Sequence, residues 1–113
     1  MDPERARELL RKERERVENE LTSLGADRGD GELSNLDQHP ADSGSELFEV
    51  ERDRSMIERL RNELYAIERA EQRLAQGTYG LSVDSGEPIP DGRLEAVPWA
   101  ERTAAEQARH DAR

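Results

Sequence analysis

The chain contains no cysteine. That absence excludes a disulfide framework and any metal site built on thiolates. Aromatic residues are scarce as well: one Phe, one Trp and two Tyr among 113 residues. Hydrophobic residues make up 33% against 39% charged, so the chain cannot wrap a thick core. Its apolar side chains must lie in narrow seams between long, solvated elements. No stretch approaches the roughly 20 apolar residues of a membrane span, and no membrane association is expected. The N-terminal stretch MDPERARELLRKERER is charged from its second residue, unlike a secretory signal, so a cytoplasmic location is expected.

Positive charge is also in short supply. Seventeen Lys+Arg face 27 Asp+Glu for a net charge of −10, and Lys12 is the single lysine. Such a chain is repelled by a polyanion, so no direct DNA binding is expected. Arg11, Lys12, Arg14 and Arg16 alternate with Glu8, Glu13, Glu15 and Glu20, which reads as a solvated helix face with i,i+4 pairs. An acidic chain suits a basic protein surface or a positively lined channel. No nucleophile has a partnered histidine, and no glycine-rich phosphate loop leads into a lysine. The expectation is a protein that binds rather than an enzyme.

Periodicity then divides the chain. Residues 3–24 read as a helix, with Pro3 in its first turn, Asp2 as a cap and Glu4 near the positive end of the dipole. Leu10, Val17 and Leu24 form a heptad row flanked by Ala6, Leu9 and Leu21, a seam for one partner helix. Residues 25–42 break the period with glycines, a proline and Asn/Asp residues. A second helix of about 32 residues starts near Ser43, where Ser43 and Glu46 have capping-box spacing and Asp42 is an alternative cap. Its apolar rows are Val50, Ile57, Leu64 and Leu60, Ile67, Leu74. Two such helices joined by one loop predict an antiparallel coiled-coil hairpin, residues 1–76, with its tip at 25–42. Residues 77–113 are dense in Gly and Pro. They predict β-like pieces at 79–83 and 87–90, then a terminal helix from about Trp99 to His110. Tyr79, Leu81, Ile89, Leu94, Val97 and Trp99 are the candidates for packing this small base.

Two stretches carry a specific resemblance. One runs from Gly31 to Glu49 and includes Asp37-Gln38-His39-Pro40-Ala41-Asp42. The other is Gly77-Thr78-Tyr79-Gly80-Leu81-Ser82-Val83-Asp84-Ser85-Gly86, continuing through Pro98. Together they resemble the DksA/TraR family, and the loop is most similar to its YteA-like branch. The resemblance implies a mainly α fold, a coiled-coil hairpin on a small C4 zinc-finger base with a short β-hairpin and a terminal helix. It also implies a partner, bacterial RNA polymerase, whose secondary channel receives the hairpin tip and whose initiation is altered.

The family pattern G-T-Y-G-x-C-x-x-C-G places Ser82 and Ser85 at the first pair of zinc positions, and the second pair falls at Thr103 and Glu106. A serine hydroxyl stays protonated at neutral pH, and zinc requires thiolate, neutral imidazole or carboxylate. The expectation is a degenerate, metal-free base in residues 77–113, with no cofactor, in which polar side chains hydrogen-bond in place of the metal. At the tip, the family arrangement D-x-x-D-x-A falls on His39, Asp42 and Gly44, so one of three matches. Asp37 and Glu46 keep the region acidic, and with His39, Asp42 and Gly44 they form the candidate partner-binding tip. Asp42 is equally suited to capping, and His39 before Pro40 to packing or hydrogen bonding. The alternative function is a structural or adaptor coiled coil, self-associating or pairing with another helical protein. A third and remote option is metal-assisted chemistry at Asp37, His39 and Asp42.

Overall fold

The computed structural model describes residues 1–25 and 44–113. Helix α1 spans Pro3–Ser23. Pro3 opens it without leaving an N–H unsatisfied, and the Ala6 N–H donates to the Asp2 carbonyl at 3.0 Å. Helix α2 spans Gly44–Gln76. It stops where Gly77 turns left-handed (φ 81°). The Thr78 N–H then returns to the Arg73 carbonyl at 2.9 Å and the Gly77 N–H to the Leu74 carbonyl at 3.3 Å. These two bonds form a Schellman cap, which satisfies carbonyls the helix end would otherwise leave open. α1 packs against α2 as a hairpin. Among the described residues no helix is long and apolar enough to cross a membrane.

Two short helices follow, α3 at Asp91–Ala96 and α4 at Ala104–Asp111. The periodicity did not anticipate α3, a six-residue turn that contains Gly92. The terminal helix begins at Ala104, five residues after the expected Trp99, because Thr103 is its cap. The expected β-pieces meet antiparallel, but through a single bridge, Leu81 with Pro88. It is flanked by Ser82 N–H to Glu87 O at 2.8 Å and Ile89 N–H to Gly80 O at 2.7 Å. Pro88 and Pro90 have no N–H to extend the ladder.

The chain forms two compact units, Glu15–Leu64 and the pair Met1–Arg14 with Tyr65–Arg113. In the first, Val17, Leu21, Ile57 and Leu60 are buried, while Leu24, Val50 and Leu64 are only half-buried. Arg16 reaches across to Glu63 at 2.9 Å. In the second, Ala6, Leu10, Ala66, Ile67 and Ala70 are buried. The two α2 alanines were not foreseen. In this unit α2 meets α1 through Arg14 and Glu71 and the C-terminal segment through Arg69 and Glu101, so more of its circumference is covered.

The base has its own small core of Ile89, Leu94 and Ala100, against which Met1, Tyr79 and Val97 pack. The Tyr79 hydroxyl donates to the Pro98 carbonyl at 2.8 Å. Burial pushes the Tyr79 phenol up to about 12. Two expected core residues lie elsewhere. Leu81 is 40% exposed, since strand alternation turns it outward while its neighbour Ser82 turns in. Trp99 is half-buried, and the buried positions beside it are Pro98 and Ala100.

Candidate functional site

Of the candidate tip residues, Asp37, His39 and Asp42 lie outside the described residues, as does the proposed Ser43 cap. Gly44 is the first residue of α2 and Glu46 belongs to its first turn.

The second candidate set, Ser82, Ser85, Thr103 and Glu106, is brought together in space. The turn after the Leu81 bridge is closed by the Gly86 N–H donating to the Ser82 carbonyl at 2.9 Å, with Gly86 at φ 75°. Only a residue without Cβ adopts that conformation freely. The turn folds over the Ser82 side chain, whose Oγ accepts the N–H groups of Asp84 at 3.1 Å and Ser85 at 3.2 Å. Ser82 is 5% exposed. The Ser85 Oγ accepts the Glu87 N–H at 3.2 Å. From the other side, Thr103 and Glu106 form a complete capping box at the start of α4. The Thr103 N–H donates to Glu106 Oε1 at 2.9 Å, and the Glu106 N–H donates to Thr103 Oγ1 at 3.2 Å.

The Glu106 Oε1 accepts the Thr103 backbone N–H at 2.9 Å. The nearby Ser85 side chain, the Thr103 backbone and the Ser82 side chain favour its charged form. They hold the carboxyl down to about 2, against burial that would raise it. The residue is 8% exposed. Asp84 pairs with Arg102 at 2.9 Å, and the Arg102 carbonyl accepts Arg93 Nε at 2.8 Å.

This donor set does not fit zinc. Ser82 uses both acceptor sites of its hydroxyl on backbone N–H groups, which leaves no lone pair to offer a cation. Glu106 is the single anionic group among the four. Among the described residues no cluster of three or more His, Cys, Asp or Glu is placed to hold a metal ion.

Sequence reasoning missed a charged cluster beside the base. Arg69 donates to Glu101 Oε1 at 3.1 and 2.7 Å, and Arg73 lies 3.8 Å from the same carboxylate. The Glu101 carbonyl accepts the Val83 N–H at 2.9 Å, so this residue joins α2 to the serine turn. Arg73 Nε and Nη2 are buried without an acceptor. Burial lowers the Arg73 pKa, partly offset by Glu101. The partners stand about 30 residues apart in sequence, where no local spacing signals them. Arg5 pairs with Glu95 at 2.9 Å, and the N-terminal ammonium with Asp91 at 3.1 Å.

Comparison with known proteins agrees with this architecture. The prokaryotic dksA/traR C4-type zinc finger matches residues 77–112. YteA of Bacillus subtilis is 43% identical over 81 residues, 72% of this chain and 34% of the relative. General stress protein 16O of the same organism is 43% identical over 79 residues, 69% of this chain and 48% of the relative. The chain thus spans between a third and a half of the length of these two proteins. The RNA polymerase-binding transcription factor DksA of Caulobacter vibrioides is 34% identical over 108 residues, 94% of this chain and 68% of that protein. The structure of transcription factor DksA2 from Pseudomonas aeruginosa superimposes with a TM-score of 0.76 at 27% identity, covering 97% of this chain and 83% of that one. With the hairpin, the glycine-framed turn and the capped final helix all in place, the chain belongs to the DksA/TraR family.

Proposed function

We propose that this chain regulates transcription by binding bacterial RNA polymerase and inserting its hairpin tip, residues 25–42, into the secondary channel. The observation that supports this most is the 34% identity over 94% of the chain to a DksA named as RNA polymerase-binding. The reading assigns the contact to Asp37, His39, Asp42, Gly44 and Glu46. A net charge of −10 favours entry into a positively lined passage, and acids at the leading end can act on basic mobile elements or on a catalytic Mg²⁺.

The test is in vitro transcription with purified polymerase. Asp37→Asn with Asp42→Asn removes two charges while keeping side-chain size and capping ability. This double variant loses most of its effect on initiation and keeps the helicity of the parent. Glu51→Gln with Glu58→Gln, at exposed positions of α2, changes net charge equally and retains the effect. Equal loss in both variants would assign the effect to net charge. No loss in the tip variant would leave the hairpin as an adaptor or self-associating element.

A further inference from the structure

We propose that the groove between the first half of α1 and the last turns of α2 binds a small amphipathic anion, an apolar body ending in a carboxylate or phosphate. The groove encloses about 350 Å³. Its α1 wall is Arg7, Leu10, Arg11 and Arg14, and its α2 wall is Glu71, Leu74 and Ala75. Both walls belong to one compact unit. The proposal stands apart from the polymerase reading, because it concerns the foot of the hairpin and not the tip.

The groove reverses the charge balance of the chain. Twenty-seven Asp+Glu against 17 Lys+Arg give a net charge of −10, yet here three guanidiniums meet one carboxylate. That carboxylate, Glu71, is already held by Arg14, which donates to it through Nε at 3.1 Å and through Nη2. The positive surplus therefore falls on Arg7 and Arg11, four residues apart on one helix face and both exposed. Arg11 also has a neighbour within the chain. A guanidinium carries five N–H donors, so one partner leaves capacity for a second. Its planar fork matches the oxygens of a carboxylate or phosphate. The apolar part of the lining is Leu10, 1% exposed, with half-buried Leu74 and with Ala75, and the arginine stems extend it. A mostly apolar cleft with a few charged groups is the usual form of a small-molecule site, and the volume lies at the lower end of the range of about 300–1,000 Å³. A bare ion would make no use of the apolar lining, and a neutral apolar molecule would make none of the arginines.

The competing account makes Arg7, Arg11 and Arg14 a solvated stripe that only pairs with acids along the shaft. It predicts no ligand. The experiment is an amide NMR titration of the isotope-labelled full chain with octanoate, octyl phosphate, octanol and acetate, each below the concentration at which it aggregates. The expected result is saturable shifts from the two amphipathic anions, grouped at residues 7–14 and 71–75, and much weaker binding of octanol and acetate. Arg7→Gln with Arg11→Gln weakens octanoate binding by about tenfold or more. Arg109→Gln with Arg113→Gln, exposed in the C-terminal tail, changes net charge equally and leaves binding as in the parent. If the first pair does not fold, Arg7→Gln alone takes its place, with weaker binding again expected. No saturable shifts from either amphipathic anion, or shifts centred elsewhere, would overturn the proposal. Octanol or acetate binding as tightly as octanoate would overturn it as well, leaving only an apolar patch or an ion contact. So would a groove variant that binds like the parent, or a tail variant that is weakened equally.

Discussion

In the Glu15–Leu64 unit, packing rests on Val17, Leu21, Ile57 and Leu60, with Arg16 and Glu63 paired at its edge. In the base, Ile89, Leu94 and Ala100 are buried, and so are two polar residues: Ser82, which accepts two N–H groups of its own turn, and Glu106, which accepts the Thr103 N–H. The shaft can repeat an apolar heptad because both helices are long. The base, from Gly77 onward, has two helices of six and eight residues and one β-bridge, too little regular structure to repeat any pattern. Where periodic burial runs out, local hydrogen bonds fix the geometry instead, in the turn around Ser82 and in the Thr103–Glu106 capping box. Apolar packing tolerates volume-conserving substitution, whereas a buried polar group left without its partner is costly.

The contrast can be broken most forcefully in the shaft. Leu60, 2% exposed, should lose about 2–5 kcal/mol on truncation to Ala in denaturant unfolding, since the seam cannot collapse fully around the gap. Leu64→Ala, at a half-buried site, should cost clearly less. Equal losses would show that both apolar rows of α2 bear the packing alike.

The base should instead respond to acid. The folded Glu106 carboxyl lies below its ordinary value of 4.5, at about 2. Its contribution is therefore fully present above about pH 4.5 and is lost as pH falls toward 2. The informative quantity is the difference between parent and Glu106→Gln. That difference should shrink steadily over this window in melts followed by Trp99 fluorescence. A constant difference down to pH 2 would detach stability from the carboxylate.

A smaller effect is expected at Tyr79. Removing its hydroxyl with Tyr79→Phe leaves the Pro98 carbonyl without its 2.8 Å donor, at a cost of about 0.5–1.5 kcal/mol in the same unfolding assay. Smallest of all is Arg16→Gln in the shaft, whose exposed pair with Glu63 should contribute about 0.2–1 kcal/mol and fade with added salt. A larger loss there would place ionic pairing beside apolar burial as a source of shaft stability.

The shaft was the more legible region. Helix limits followed from Pro3 and Gly77, and the row Leu10–Val17 with Ile57, Leu60 and Ile67 followed from spacing alone. The half-burial of Leu24, Val50 and Leu64 did not, because periodicity marks a face and not how much of it a partner covers. In the base, the meeting of Ser82, Ser85, Thr103 and Glu106 was readable through the family resemblance. Thr103-Ala104-Ala105-Glu106 has the spacing of a capping box, a local signal that places the start of α4 more accurately than Trp99 does. Helix α3 and the Arg69–Arg73–Glu101 cluster left no such trace: one is a single short turn, the other a product of tertiary packing. The outward turn of Leu81 follows from strand alternation once Ser82 is known to point inward.

The most direct measurement of the functional account is the binding of fluorescently labelled protein to purified core RNA polymerase, followed by anisotropy. The account predicts a saturable rise that unlabelled parent displaces, and much weaker displacement by the Asp37→Asn, Asp42→Asn variant. An anisotropy that never saturates, or displacement by the tip variant equal to that of the parent, would contradict it.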